Sequence, residues 1–181
     1  MNYTHRDIVF DELRRYLKTY VGFTNTKISV LEIGAGEHSA KQVFEEFFEQ
    51  VVYTTIDNES EYKSANNYKM EADDLDFNDS MFDFVFMSHV SEHFENPIMC
   101  FKEARRVLKK DGILFNASPY PCVHQILLGD PKHLFVLSEI QLLVLIHFVG
   151  FDNIEWAYVT KIYKDIPVLE QDWNVIMVAK K

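Results

Sequence analysis

Two glycines and one acid follow two predicted strands in a pattern suited to a nucleotide-type ligand. Gly34 and Gly36 form a G-x-G turn directly after the apolar run 28–33, and Asp57 directly follows the β-branched run 51–56. Glycine lets the backbone of a turn approach a ligand closely. An acid at the end of the next strand accepts hydrogen bonds from ribose hydroxyls. These residues predict a cofactor site where the two strands end, although a plain tight turn beside a solvated acid is the alternative.

Three features distinguish an adenosyl cofactor from a dinucleotide. Ser39 stands where the dinucleotide pattern has its third glycine. Glu32 precedes Gly34 by two positions; its charge would repel a pyrophosphate but suits a ligand that carries an ammonium and a sulfonium. A chain of 181 residues leaves little room for a separate substrate domain. We therefore expect S-adenosylmethionine as the cofactor and S-adenosylhomocysteine as its product.

Strand-like and helical segments alternate along the chain, which predicts an α/β fold with a mainly parallel sheet covered on both faces. The predicted strands are 28–33, 51–56, a brief edge strand within 59–76, 82–87, 113–115, 153–160 and 173–179, and the predicted helices are 6–20, 39–48, 97–109 and 138–150. No helix separates the last two strands, so we expect them to form an antiparallel edge. We predict one domain over 1–181, with an N-terminal helix within 1–22 and a lid-like loop at 119–137.

Charge and hydropathy narrow the classes of partner. The formal net charge is -10, and basic residues form only short runs, such as 14–15, 105–106 and 109–110, which argues against a nucleic acid as substrate. The longest apolar stretch, 142–150, is far shorter than the roughly 20 residues of a membrane span. The first twenty residues carry several charges, unlike a signal peptide. We expect a cytoplasmic protein with a small-molecule acceptor and leave its oligomeric state open.

Several motifs in order along the chain resemble class I S-adenosylmethionine-dependent methyltransferases of the small-molecule, type 11-like kind. The motifs are VLEIGAG at 30–36, TID at 55–57, FDFVF at 82–86 followed by EH at 92–93, EARRVLKKDGIL at 103–114 and HFVGF at 147–151. Their combination is far more specific than any single motif. The resemblance covers roughly 28–179 and implies a Rossmann-like three-layer sandwich, with a mostly parallel seven-stranded sheet and an antiparallel C-terminal edge.

The resemblance also implies which residues contact the cofactor. These are Glu32, Gly34, Ala35, Gly36, Asp57, Asn58, Glu71, Ala72, Ser88 and His89. The glycine turn would pack against the methionyl part with Glu32 in support, while Asp57 would take the ribose hydroxyls. Glu71 and Ala72 would contact the adenine, with Asp73 as the alternative because Asp76 replaces the proline usual in this stretch.

Histidines near the same rim are the candidates for catalysis. A hydroxyl acceptor must lose a proton, and histidine is the usual base near neutral pH. His89 and His93 are the two candidates, with a structural loop or capping role as the alternative for each. We predict no metal site, since these two histidines stand in a loop and lack a third ligand.

The proline-rich loop carries the predicted substrate residues Tyr120, His124 and His133. Its segment 129–133 resembles a lid found in methyltransferases that act with cell-surface saccharides, which makes a sugar hydroxyl or carboxyl a candidate acceptor. The alternative is a turn that leads into Ser138 as a helix cap. We therefore expect methyl transfer to an oxygen of a small molecule. A non-catalytic cofactor-binding module and a nicotinamide-dependent oxidoreductase remain as alternatives.

Overall fold

In the computed structural model, seven strands of the described residues form one sheet in the order β3-β2-β1-β4-β5-β7-β6. The structure describes residues 5–36, 39–58, 67–121, 130–161 and 173–181. The strands are β1 (Thr24–Ile33), β2 (Phe48–Asp57), β3 (Asn67–Lys69), β4 (Phe82–Ser88), β5 (Leu108–Pro119), β6 (Asn153–Lys161) and β7 (Trp173–Lys180). The helices are α1 (His5–Tyr16), α2 (Lys41–Glu45), α3 (Pro97–Val107) and α4 (Glu139–Phe148), with single turns at Leu17–Val21 and Ser91–His93.

The direction of the strands confirms the predicted fold class. Strands β1 to β5 run parallel, whereas β7 is antiparallel to both β5 and β6. The strand order reverses between β1 and β4, so the chain leaves the sheet in opposite directions from these two strands. A crevice at the carboxyl ends of such a pair is the usual ligand site of an open α/β sheet. The fold thus places the cofactor candidates at this crevice.

Two apolar layers hold the helices on opposite faces of the sheet. On one face, α1 and α2 pack on the strands through Val9, Leu13, Val43, Phe44, Val30, Phe84 and Phe86. On the other face, α3 and α4 do so through Phe101, Ala104, Leu142, Ile146, Leu31, Val85 and Leu114. The Tyr16 hydroxyl also donates a 2.6 Å hydrogen bond to Glu155 Oε2, which joins α1 to β6. Among the described residues, no helix has the length and apolar character needed to cross a lipid bilayer.

The predicted helix at 39–48 is wrong in extent. Helix α2 spans only Lys41–Glu45, and strand β2 already begins at Phe48. The Phe47 carbonyl accepts a 3.0 Å hydrogen bond from the Thr24 amide, and Thr24 pairs with Phe48 in the sheet. Strand pairing therefore takes the backbone groups that a longer helix would need, despite the helical spacing of the phenylalanines.

Two other predicted helices are also too long. The helix predicted at 6–20 ends at Tyr16 and continues only as a single π turn. The helix predicted at 97–109 ends at Val107, and 109–112 belongs to β5 instead of forming a terminal turn. This part of β5 is irregular, because Asp111 has a φ of 63° and the pairing register with β4 shifts there. Hydrogen bonds with Lys181 hold it, since Asp111 donates to Lys181 and Lys181 donates to Gly112.

Arg106 fixes the segment between β3 and β4 onto helix α3. Its guanidinium donates to the carbonyls of Leu75 at 2.8 Å and Phe77 at 2.7 Å, and to Glu103 Oε2 at 2.7 Å. Glu103 Oε2 also accepts a 3.0 Å hydrogen bond from the Leu75 amide. The hydrogen bond from Arg106 is the main reason that the pKa of Glu103 lies below its ordinary 4.5. This network positions the chain that follows the adenine candidates.

We expect Arg106→Gln to lower the free energy of unfolding by about 1–2 kcal/mol, discounted for the partial exposure of the pair. The melting temperature should fall by roughly 2–8 °C for a domain of this size. Because the folded state lowers the pKa of Glu103, the ion pair stabilises the protein above 4.5 and is lost as the pH falls through the folded-state pKa. The difference between wild type and variant should therefore shrink in melts at pH values below 4.5.

Arg15→Gln is the matched control, since Arg15 forms an ion pair with Glu12 within helix α1, at the protein surface. Its melting temperature should stay close to that of the wild type. A loss in Arg106→Gln no larger than in this control would contradict the proposed role of the network.

Candidate active site

The glycine turn is tightly packed at the end of β1. Gly34 and Gly36 have φ angles of 71° and 54°, a region that favours glycine. The Gly34 amide donates a 2.9 Å hydrogen bond to the Ile56 carbonyl, which fixes the turn against the end of β2. A Cβ added to Gly34 would lie 2.7 Å from Val90 Cβ. Both the backbone conformation and the close contact with Val90 therefore require glycine at position 34.

Asp57 lies beside this turn, at the predicted rim. The Gly36 amide donates a 3.1 Å hydrogen bond to Asp57 Oδ2. Asp57 is half-buried at the end of β2, and Asn58 after it is exposed. The acid that the sequence assigned to a ribose is thus in direct contact with the turn assigned to the methionyl part.

Glu32 is buried on the α1 and α2 side of the sheet, with 1% of its surface exposed. Its Oε2 accepts hydrogen bonds from the Tyr53 hydroxyl at 2.8 Å and from the Ala40 amide at 3.3 Å. These bonds fasten the start of α2 to β1 and β2, on either side of the turn. Glu32 therefore supports the glycine turn by holding the chain that follows it.

Ser88 is the last residue of β4, and His89 follows it directly. Ser88 is buried, and its hydroxyl has no hydrogen-bond partner among the residues that the structure describes. The His89 amide donates a 2.8 Å hydrogen bond to the Ala117 carbonyl, and the residue has a φ of 52°. A positive φ is uncommon for a side-chain-bearing residue and marks a conformation that the surrounding structure imposes. The site thus holds a buried hydroxyl and an imidazole at adjacent positions.

Glu92 is a buried acid next to His89. It lies in the turn Ser91–His93 with 1% of its surface exposed, and its Oε1 is 3.5 Å from His89 Nδ1. Neither carboxylate oxygen accepts a hydrogen bond within the described ranges. Burial of an unpaired charge is unfavourable by several kcal/mol, so such an acid needs a cation beside it. The His89 ring is one polar group that faces it.

His93 points to the described part of the lid-like loop. Its Nδ1 is 3.1 Å from the Lys132 carbonyl, and its ring centroid is 4.8 Å from that of His133. The Glu92 carbonyl accepts hydrogen bonds from the amides of Leu134 at 2.7 Å and Phe135 at 3.0 Å. The segment 130–135 is therefore bonded directly to the turn Ser91–His93, as a lid at this rim requires.

The adenine candidates follow β3, next to Asp57. The Met70 amide donates a 3.3 Å hydrogen bond to the Asp57 carbonyl. Ala72 is half-buried, while Glu71 and Asp73 are both exposed. The two alternatives for the adenine contact thus lie on the same short stretch, and their roles stay predictions.

The predicted substrate residues Tyr120, His124 and His133 differ in their surroundings and in whether the structure describes them. Tyr120 is half-buried after β5 and packs against the core on the α3 and α4 side. His124 lies outside the described residues. His133 is beside His93, and the group Glu92, His93 and His133 has ligand atoms within 4.8 Å of one another. The prediction of no metal site assumed that a third ligand was lacking, and for His93 this assumption is wrong.

Sequence reasoning missed two buried asparagines. Asn116 in β5 and Asn174 in β7 are fully buried, and their amide groups have no hydrogen-bond partners in the described part of the chain. Asn116 pairs with Met87 of β4, the residue before Ser88. The available signal was a polar residue inside an otherwise apolar strand, because such residues are buried only where a partner or ligand meets them.

The site fits an adenosyl ligand with a positively charged sulfur. The glycine turn allows close approach, Asp57 is partly accessible beside it, and the Ser88 hydroxyl lacks a partner within the described chain. The acids Glu32 and Glu92 lie close to the same crevice and favour a cationic ligand.

The comparisons with known proteins agree with this geometry. A family model described as a methyltransferase domain matches residues 31–116, from the end of β1 into β5. No curated protein matches the chain by sequence.

Solved structures share the fold at low sequence identity. The YcgJ protein of Bacillus subtilis is 16% identical, with a TM-score of 0.74 over 94% of this chain and 98% of that one. A SAM-dependent methyltransferase from Archaeoglobus fulgidus is 19% identical, with a TM-score of 0.69 over 97% and 94%. The [4+2]-cyclase SpnF is 17% identical, with a TM-score of 0.70 over 94% and 80%.

A fold shared with a cyclase does not by itself determine the reaction. The family match is more specific, because it contains the glycine turn, Asp57, Ser88 and Glu92, which the structure brings to one rim. It favours a methyltransferase over the nicotinamide-dependent and non-catalytic alternatives. Residues 31–116 therefore match the methyltransferase-domain family, and the fold is the one that solved S-adenosylmethionine-dependent methyltransferases share.

Proposed function

We propose that the enzyme methylates an oxygen atom of a small-molecule acceptor and that His89 is the base. The observation that carries the proposal is the pairing of His89 Nδ1 with buried Glu92 Oε1 at 3.5 Å, beside the cofactor crevice. A buried carboxylate next to an imidazole orients the ring. An amine or carbon acceptor has less need of such a base.

The cofactor residues in the proposal are those of the predicted set. The turn at 34–36 would contact the methionyl part, Asp57 and Asn58 the ribose, and Glu71 and Ala72 the adenine. Ser88 would donate its hydroxyl hydrogen towards the same ligand. Bound S-adenosylmethionine supplies a methyl group activated by a positively charged sulfur.

The protein's own residues would position the acceptor and move its proton. His89 takes the hydroxyl proton on the ring nitrogen that does not face Glu92, while Glu92 stabilises the imidazolium. Alignment of the acceptor oxygen with the methyl carbon contributes much of the rate, up to roughly 7–11 kcal/mol in favourable cases. The segment 130–135, together with Tyr120, would cover the acceptor and exclude water.

A saccharide precursor is the acceptor class that the proposal favours. The likeness of 129–133 to a saccharide-associated lid supports it, as do the half-buried ring of Tyr120 and the partly exposed ring of Phe135. The proposal treats 1–181 as one domain, and the net charge of -10 supports a small molecule over a nucleic acid. Cytoplasmic location stays a prediction from the sequence.

We expect Asp57→Ala to weaken the binding of S-adenosylhomocysteine by about 10- to 100-fold. Loss of a hydrogen bond to a charged group costs about 1.5–3 kcal/mol, and 1.4 kcal/mol is a tenfold change. The affinity of Asp57→Asn should lie between those of the wild type and Asp57→Ala, because asparagine keeps one acceptor oxygen. Isothermal titration calorimetry measures the affinities.

Glu49→Ala is the control, since Glu49 is exposed at the opposite end of β2. It should bind like the wild type. If wild-type protein shows no affinity for S-adenosylmethionine or its product, the cofactor assignment fails.

Methyl release from labelled cofactor tests the acceptor. The panel contains saccharide hydroxyls and carboxyls, with matched amines as the contrast. Turnover with oxygen acceptors supports the proposal, whereas turnover confined to amines or carbon acids contradicts it.

A further inference from the structure

We propose that Glu92, His93 and His133 form a site for Zn²⁺ that fastens the segment 130–135 to the turn Ser91–His93. The ligand atoms of the three residues lie within 4.8 Å of one another. Two imidazoles and one carboxylate are a ligand set typical of zinc with an open fourth position. This ion site does not depend on the identity of the methyl acceptor.

The state of Glu92 is the first support for a cation. The side chain is 99% removed from solvent, yet neither oxygen accepts a hydrogen bond in the described part of the molecule. A buried carboxylate without hydrogen bonds is unfavourable, and metal coordination is one of the few ways to satisfy it. The carboxylate has two oxygens, so a pair with His89 through Oε1 and ligation of an ion can coexist.

The hydrogen bond of His93 selects its ligating nitrogen. The Lys132 carbonyl, 3.1 Å from Nδ1, can only accept, so Nδ1 carries the hydrogen. Nε2 therefore holds the lone pair. An imidazole that donates one N–H to a carbonyl and binds a metal with its other nitrogen is the usual arrangement at zinc sites.

His133 offers the third ligand from the other chain segment. Its Nδ1 is buried and has no hydrogen-bond partner among the described residues, so one of its nitrogens is unsatisfied. The His133 amide donates to the Asp130 carbonyl at 2.9 Å, and the next two amides donate to the Glu92 carbonyl. These backbone bonds hold His133 at His93 before any ion binds.

The distances require only a small adjustment. Three ligands at about 2.1 Å around a tetrahedral ion are about 3.4 Å apart, so the side chains would close by roughly 1 Å. Rotation of the imidazoles supplies such a movement without a change in the backbone. The ion would then hold the segment down beside His89.

Cobalt titration of the full-length protein tests the site, after removal of metals with a chelator. Co²⁺ replaces Zn²⁺ with the same geometry and gives visible absorption when four-coordinate. We expect one equivalent of Co²⁺ to bind with this absorption, and Zn²⁺ to displace it. His133→Ala and Glu92→Gln should weaken binding by more than the 10- to 100-fold that loss of an outer-shell partner causes.

His147→Ala is the matched control, because His147 is exposed on α4 and outside the cluster. It should bind Co²⁺ like the wild type. Hydrogen exchange gives a second readout: Zn²⁺ should slow exchange at the Leu134 and Phe135 amides in the wild type but not in His133→Ala. Circular dichroism shows whether each variant folds. If Glu92→Gln does not fold, the comparison of His133→Ala with the wild type tests the site.

The proposal is overturned if His133→Ala binds Co²⁺ as tightly as the wild type, or if no wild-type binding is seen. It is also overturned if binding is lost in His89→Asn and kept in His133→Ala, which would place the ion elsewhere. S-adenosylhomocysteine affinity is measured on the same samples, so failure of the cofactor site is distinguishable from failure of the zinc site.

Discussion

Replacement of His89 with asparagine should lower kcat for an oxygen acceptor by about 100- to 10,000-fold, the range that a general base contributes. His89 has a φ of 52°, and asparagine is among the residues that tolerate this region best. The variant therefore keeps the backbone at the end of β4 and removes the titratable ring. Steady-state kinetics with the best oxygen acceptor of the panel measures the loss.

A second variant separates catalysis from structure. Glycine also suits the positive φ, and His89→Gly leaves a space that free imidazole can occupy. Added imidazole should restore part of the activity of His89→Gly, which a merely structural role would not produce. His147→Asn, at an exposed position of α4, should keep the wild-type kcat. A kcat within a few-fold of wild type in His89→Asn would remove His89 as the base.

The predicted rim depends on local signals that the sequence carries strongly. The sequence marks strands β1, β2 and β4 by apolar runs that end directly before Gly34, Asp57 and Ser88, and parallel strands end at one edge. The meeting of these residues follows from topology alone. The extent of α2 did not follow, because the Phe47 carbonyl is taken by Thr24, a partner 23 positions earlier in the chain.

The contacts that complete the site span long stretches of sequence. His93 and Lys132 are 39 residues apart, and no periodic pattern connects them. The hydrogen bonds from the Leu134 and Phe135 amides to the Glu92 carbonyl hold His133 near His93, so the third member of the proposed ion site was visible only in the folded chain. The same holds for the Val90 side chain, which a Cβ on Gly34 would strike.

Replacement of Gly34 with alanine should lower the free energy of unfolding by about 2–6 kcal/mol. A positive φ of 71° at a residue with a Cβ costs roughly 1–3 kcal/mol, and overpacking adds a further 1–3 kcal/mol or so. Denaturant unfolding measures the change. S-adenosylhomocysteine affinity should fall with it, since the turn that meets the ligand must move.

Gly22→Ala separates the two contributions. Gly22 has the same φ of 71°, but a Cβ there meets no atom within 4 Å. This variant should show the backbone penalty alone, about 1–3 kcal/mol, and leave the cofactor affinity unchanged. Equal losses of the free energy of unfolding in Gly34→Ala and Gly22→Ala would mean that the contact with Val90 contributes nothing to the loss.

The Gly34→Ala/Val90→Ala double variant tests the contact itself. Val90→Ala removes Cγ2, the atom nearest to the new Cβ, but keeps Val90 Cβ at 2.7 Å from it, so only part of the stability lost in Gly34→Ala should return. We expect a coupling of about 1–3 kcal/mol in the double-mutant cycle, as for residues in direct contact. Recovery of cofactor affinity in the double variant would show that Val90 sets how closely the turn approaches the end of β4. In the proposed mechanism that spacing would set the distance between the bound methyl donor and His89, so the packing of one glycine would control the geometry of methyl transfer.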